Sequence, residues 1–246
     1  MLLIQIPTID NIDELKNKIE EVSNELINIE FEFLILDHSK LNYSEHLNLF
    51  RKENKFNKIN YYHLEKKSKK NERGLASRFG YEKAIELHED VDLIEIDSDT
   101  AHRAEEIIKI YNHAKKNKCD IVVASKYLDE SKVINRKISR IFISAIYNYI
   151  NKKIFKIKIT DTSNSYRYYS KLSLINYIDL NLKFVTPIAH LLILIINKKH
   201  KLKFGEVDTI YLEDINSKSS INFKQLYFSL IDYLYLIFLF ITKKTK

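Results

Sequence analysis

Over its first 124 residues the chain alternates short apolar runs with segments of helical periodicity, and that alternation restricts the fold to a mostly parallel α/β sheet. Leu2 to Ile6 is an apolar run closed by Pro7, which reads as a buried strand entering a loop. Asn11 with Glu14 three residues on is a capping-box pattern. Behind it Ile12, Leu15, Ile19, Val22, Leu26 and Ile29 recur at spacings of three and four, predicting a helix. Phe31 to Leu36 and Lys58 to His63 read as further strands, and residues 65 to 73 as a charged loop. Gly74 to His88 reads as helix, Leu93 to Ile96 as strand, Ala104 to Lys116 as helix and Ile121 to Ala124 as strand.

The second half changes character. Ser131 to Ile150 is expected to form one amphipathic helix, with Ile134, Ile138, Ile141, Ala145 and Tyr149 on its apolar face and Arg136, Arg140 and Tyr147 opposite. Thr186 to Ile196 predicts a short apolar helix. Leu226 to Ile241 is apolar except for Ser229 and Asp232 and runs into a Lys-rich tail. The expected organisation is a catalytic-type domain over 1–222 and a membrane-associating hydrophobic helix with a basic tail over 223–246. Sixteen residues rise roughly 24 Å, short of a hydrocarbon core of about 30 Å, so that helix is expected to lie on the membrane rather than span it.

Composition excludes several classes. With 3 Gly and 2 Pro in 246 residues the chain is neither collagen-like nor a flexible linker, and a single cysteine, Cys119, forms no disulfide framework and no Cys-based metal site. MLLIQIPTID lacks the basic start of a signal peptide, which points to the cytosolic side. The net charge of +7 and the 16 Tyr come with no nucleic-acid-binding motif. Arginine is scarce, yet six of the seven fall at Arg73, Arg78, Arg103, Arg136, Arg140 and Arg167, which makes them candidates for an anionic ligand.

Chemistry concentrates at Asp97-Ser98-Asp99, directly after the Leu93 to Ile96 strand. In open α/β sheets ligands bind beyond the carboxyl ends of the strands, and two carboxylates one residue apart can hold a hard divalent ion that bridges a diphosphate.

The strings around this pair resemble the inverting family-2 glycosyltransferases, especially the branch of dolichyl-phosphate mannosyltransferases and bacterial polyprenyl-phosphate glycosyltransferases. IDSDTAHRAEE at 96–106 is similar to the family's Asp-x-Asp strand end and its His-containing turn. VVASKY at 122–127, RKISR at 136–140 and DTSNSYRYY at 161–169 resemble segments that follow in the same order. RGLASRFGYEKA at 73–84 resembles a glycine-marked helix start, and NSKSS at 216–220 the tail of a Gly-x-Ser-Lys string.

The resemblance implies a GT-A type fold, a nucleotide-sugar donor and Mg²⁺ or Mn²⁺ at Asp97 and Asp99. It implies that Pro7, Thr8, Asp10, Asp37 and Ser98 line the donor pocket, with Gly74 and Arg78 near the nucleotide. Lys126, Arg136, Arg140 and Lys218 would hold the phosphate of a polyprenyl-phosphate acceptor at the cytosolic membrane face. A phosphate with a second pKa of about 6 attacks without a protein base. A glycan hydroxyl needs one, for which Asp161 is the candidate.

The sequence departs from the family at four places. Pro7-Thr8-Ile9-Asp10-Asn11 lacks the aromatic and Glu of the entry motif, Asp37-His38 stands where the family has paired acids after the second strand, Ala101 replaces a Gln, and Ser165 stands for a Gly. Transfer to a glycan hydroxyl, and an inactive GT-A paralogue serving as an interaction module, therefore stay open as alternatives. So does a homodimer or membrane-protein partner through the C-terminal helix. His102 is expected to position its loop; His190 and Cys119 carry no functional expectation.

Overall fold

The computed structural model describes residues 1–54, 56, 58–65, 72–180, 182–213 and 223–242. Among them a seven-stranded sheet runs in the order β3-β2-β1-β4-β7-β5-β8. Its strands are β1 (Leu2–Thr8), β2 (Phe31–Asp37), β3 (Ile59–His63), β4 (Asp92–Glu95), β5 (Ile121–Ser125), β7 (Arg167–Ser170) and β8 (Phe204–Asp208). A two-stranded ribbon pairs β6 (Lys132–Ile134) with β9 (Ile210–Leu212). The helices are α1 (Ile12–Glu25), α2 (Ser44–Asn54), α3 (Arg73–Leu87), α4 (Glu106–Asn117), α5 (Ile138–Phe155), α6 (Lys171–Ile178), α7 (Ala189–Lys199) and α8 (Phe223–Ile241).

Strand β1 pairs in parallel with β2 and with β4, so crossover helices cover both sheet faces. Period-two alternation divides the core: Leu2, Ile4 and Ile6 pack with α1 and α4, whereas Leu3 joins Tyr81 of α3, Leu174 of α6 and the wholly apolar stretch Leu191–Ile196 of α7. Each fully buried Leu or Ile contributes roughly 1.5–3 kcal/mol. The predicted cap holds, since the Asn11 side chain accepts from the Glu14 amide.

Several expectations need correction. Pro7 does not end β1, which continues to Thr8. β7 inserts antiparallel between β4 and β5, a pairing between residues 70 or more apart in sequence for β4 that no local pattern announces. The helix expected from Ser131 starts only at Ile138, because Lys132–Ile134 pairs with β9 and Asn135 turns the chain at φ 61°.

The face of α5 is also the reverse of the expected one. Ser144, Asn148, Asn151 and Phe155 are buried, while Ile138, Ile141 and Tyr149 are exposed. The polar face is needed inside: Asn148 Oδ1 accepts from the amide and hydroxyl of Thr162, and Asn151 Nδ2 donates to Thr162 Oγ1.

Helix α8 begins three residues before the expected apolar run and lies along the domain. Tyr233 packs at a tilt against Tyr147 and donates to Asn151, Phe240 meets Phe155, and Leu236 and Leu239 are buried. Asp232 turns inward to accept from Thr186, which explains an acid in an otherwise apolar helix. Lys218, the NSKSS string, most of the 65–73 loop and the terminal lysines lie outside the described residues.

Candidate active site

The carboxyl ends of β1, β2 and β4 converge, with Thr8 in register with Asp37 and Asp97 two residues beyond β4. This is where the sheet order places a ligand crevice. Asp99 is exposed in it, Ser98 is half-buried, and Asp99 Oδ1 accepts from the Ala101 amide at 3.0 Å.

Asp97 is held from three sides. Arg73 lies 2.6 Å from Oδ1, Ser165 donates to Oδ2 at 3.1 Å, and the Asp97 amide donates to Nδ1 of His102. Against the opposing effect of burial, Arg73 keeps the Asp97 carboxyl well below the usual range. Partial desolvation by the crevice walls, which still leave the side chain accessible, and the adjacent Asp97 charge raise Asp99. Ser165 thus has a definite task in this chain, as a donor to Asp97.

His102 sets the turn. Its Nδ1 accepts from Asp97, so Nε2 carries the proton and donates to Asn164 Oδ1 at 2.9 Å. The ring stacks on Tyr166, its carbonyl accepts from Lys18 at 2.7 Å, and burial lowers its pKa, keeping it neutral.

Beneath the acids is a buried hub that the sequence did not reveal. Glu95 accepts from Gln5, Ser77 and Tyr81, contacts His190 at 3.1 Å and pairs with Arg73 at 2.8 Å. Burial works against its charge, but His190 and Arg73 hold its pKa at about 2. Arg73 therefore links this hub to Asp97. The available signal was an acid one place before the end of an apolar strand, which needs a buried partner.

At the carboxyl end of β2, Asp37 is fully buried, and its oxygens are taken by Ser39 and by the Tyr61 hydroxyl at 2.6 Å. Asp10, at φ 50°, accepts from the Lys40 amide and donates its own amide to Ser39. Pro7 and Thr8 are buried in β1. Asp37 is therefore taken up in holding Ser39 and Tyr61 rather than exposed.

Gly74 and Arg78, expected beside the nucleotide, are both committed to packing within the domain. A Cβ on Gly74 would stand 2.3 Å from the Thr186 carbonyl oxygen and 2.5 Å from that of Phe184, so Gly74 permits close packing of α3. Arg78 spends its guanidinium on the carbonyls of Tyr177, Ile178, Leu180 and Leu182 behind α6. Arg167 is buried likewise against the His190 and Thr162 carbonyls, and Arg103 pairs with Glu105 on the surface.

The three described cations expected for the acceptor do gather. Lys126 and Arg136 lie over the Tyr211 ring at 5.1 and 5.3 Å, and Tyr211 contacts His102 edge-on. Arg136 and Arg140 both approach Glu213. Lys126 Nζ is 2.8 Å from Asp161 Oδ2.

Asp161 itself does not reach the crevice as a base. It is fully buried and accepts from the amides of Ser163, Asn164 and Lys126 and from the Ser163 hydroxyl. Burial would raise its pKa, but Lys126 dominates and holds it at about 2.

No protein-family model matches the chain, and no curated protein does. Solved structures match it over most of its length. Glucosyl-3-phosphoglycerate synthase from Mycobacterium tuberculosis, solved with Mn²⁺, UDP and glucosyl-3-phosphoglycerate, superposes with a TM-score of 0.59 at 11% identity, covering 92% of this chain and 75% of that one. The fold is GT-A. S. aureus TarS 1–349 with UDP-GlcNAc gives a TM-score of 0.53 at 14% identity over 97% of this chain and 66% of that one. Against the longer TarS structure the values are 0.54 and 15%, and the matched region spans 36% of that protein's length. Within the GT-A frame, the Asp97–Asp99 turn stands at the carboxyl edge of the sheet, with the cation cluster beside it.

Proposed function

We propose that this chain is an inverting glycosyltransferase that moves one sugar from a GDP- or UDP-linked donor to polyprenyl phosphate at the cytosolic membrane face. The observation that carries this reading is the Asp97-x-Asp99 turn in a GT-A fold, bordered by Lys126 and Arg136 over Tyr211 and by Arg140, which shares Glu213 with Arg136.

The donor set suits a divalent metal. Two hard carboxylates one residue apart, Asp97 kept ionised and Asp99 exposed, can take part of an octahedron that a diphosphate and water complete. Among the described residues no cluster of three His, Cys, Asp or Glu groups would hold a metal without such help. When bound, Mg²⁺ or Mn²⁺ would neutralise charge on the departing nucleoside diphosphate. The synthase that superposes on this chain was solved with Mn²⁺ and UDP, which supports the same assignment here.

In the proposed reaction an acceptor phosphate oxygen forms the new bond to the anomeric carbon while the bond to the nucleoside diphosphate breaks, its electron pair leaving with the diphosphate. A phosphate dianion has no proton to lose, so no base is required. That matches a site where Asp161 is buried, ionised and fully hydrogen-bonded, and it disfavours a hydroxyl acceptor. Arg136 and Arg140 would exchange Glu213 for the acceptor phosphate.

Helix α8 is the proposed membrane anchor. Lys224–Ile241 is long and apolar enough to cross a bilayer, but Asp232, Leu236 and Leu239 pack against the domain, which supports a seat along the membrane surface. The test is transfer of labelled sugar from UDP- and GDP-sugars to a short-chain polyprenyl phosphate with Mn²⁺. The proposal expects transfer by the native chain and none by Asp99→Asn; absence of transfer from every donor would refute it.

A further inference from the structure

We propose that α5 is a second membrane-inserting element and that its outward face, together with that of α8, seats the protein in an anionic lipid leaflet. The carrying observation is the inverted amphipathicity of α5. An amphipathic helix on a water-facing surface turns its apolar stripe inward. Here Ser144, Asn148 and Asn151 face the protein, while Ile138 is 84% exposed, Phe142 65%, Ile143 61% and Tyr149 63%. The buried polar face is committed to Thr162, so the helix cannot roll over to hide the apolar one without breaking those bonds.

The surface is larger than one helix. Contacts Tyr147–Tyr233 and Phe155–Phe240 lay α8 alongside α5 in the same direction. Leu230, Leu234, Tyr235, Phe238 and Ile241 of α8 are each more than half exposed. Two neighbouring helices thus each present an exposed apolar face, of a kind that marks a membrane or protein interaction site.

Charge selects the occupant. From Ser131 to Thr160 there are eight Lys or Arg and no Asp or Glu. Lys137, Lys152, Lys153 and Lys156 are exposed beside these faces, and the one acid of α8, Asp232, points inward. Apolar side chains bordered by lysines and tyrosines suit the headgroup boundary of an anionic leaflet, whereas the contact surface of a second copy is depleted in lysine. The residues leading into α5 and its first turn carry Arg136 and Arg140 into the cation cluster beside Asp97 and Asp99. The leaflet would therefore deliver a lipid phosphate directly to the site. This last step rests on the function proposed above; insertion of α5 does not.

The chain contains no tryptophan, so one introduced Trp reports a single position. Phe142→Trp is placed on α5 and Leu49→Trp, on exposed α2, serves as the control. With phosphatidylcholine vesicles containing phosphatidylglycerol, Phe142→Trp emission should shift to the blue and be quenched by lipids brominated in the acyl chain, while Leu49→Trp should do neither. Phe142→Glu with Ile146→Glu, both surface changes, should lower vesicle partitioning at least about tenfold. An unshifted Phe142→Trp on protein that still floats with vesicles would overturn the inference, leaving α8 as the sole anchor. A blue shift that depends on protein concentration without vesicles, with a doubled mass, would overturn it in favour of a second copy. Transfer to a water-soluble short-chain acceptor, measured in parallel, separates the two claims. Its absence in the native chain defeats the proposed function, whereas the fluorescence reads insertion regardless.

Discussion

Replacing Lys126 by Met removes the ammonium 2.8 Å from Asp161 while keeping a stem of similar length and the backbone amide that donates to the same carboxylate. Both side chains are essentially buried, so the change strands a charge rather than exposing a surface group. Breaking a buried pair from one side costs about 3–5 kcal/mol. The four other donors to Asp161 place this case at about 3 kcal/mol. With a urea slope of about 2 kcal/mol per M, the unfolding midpoint should fall by about 1.5 M.

The pH dependence tests the cause. Asp161 is held at about 2 against an ordinary value of 3.8, so its carboxylate stabilises the fold fully above pH 4. That stabilisation, about 2 kcal/mol, is lost as pH falls through 3.8 toward 2. In Lys126→Met the opposing burial effect is left without its main counterweight, and Asp161 takes up a proton at higher pH. The gap between native and variant should therefore narrow as pH is lowered below neutrality. The double variant Lys126→Met with Asp161→Asn should recover most of the loss. A gap independent of pH, or a native-like midpoint for Lys126→Met, would refute the assignment of Asp161 as a structural anion.

Three further outcomes follow from the same geometry. Asp99→Asn should abolish transfer while leaving the urea midpoint within about 0.5 kcal/mol of native, because the side chain is exposed; transfer assays and denaturation check both. Arg136→Ala or Arg140→Ala should raise KM for polyprenyl phosphate by about one to two decades with little change for the donor, and Glu213→Gln should lower it, as read by steady-state kinetics with each substrate varied. Gly74→Ala should destabilise by about 1–3 kcal/mol, measured by urea unfolding, since two backbone carbonyls stand where its Cβ must go.

What the sequence disclosed was what local pattern encodes. The β1-α1-β2 unit, the Asn11 cap and the position of Asp97 and Asp99 beyond β4 all follow from hydrophobic period and capping chemistry. What it concealed depends on distant partners. Lys132–Ile134 is a strand only because Ile210–Leu212 pairs with it, and α5 turns Asn148 and Asn151 inward only because Thr162 needs them. Arg78 looks like a phosphate ligand until the carbonyls behind α6 are in place, and Glu95 looks like an ordinary strand residue until Arg73, Ser77, Tyr81 and His190 close around it. For Arg78 the rare residue in a suggestive string marked importance correctly, but not whether the importance was chemical or structural.

The central claim is that the Asp97–Asp99 turn binds a nucleoside diphosphate through a divalent ion. Thermal unfolding of the native chain and of Asp99→Asn, with UDP or GDP and with or without Mn²⁺, tests it most directly. Ligand at 100 times its Kd adds about 2.7 kcal/mol, which raises Tm by about 5–10 °C for a chain of this size. The account predicts that rise for one of the two diphosphates only when Mn²⁺ is present, and its loss in Asp99→Asn. A Tm indifferent to both diphosphates, or an equal rise in Asp99→Asn, would contradict it.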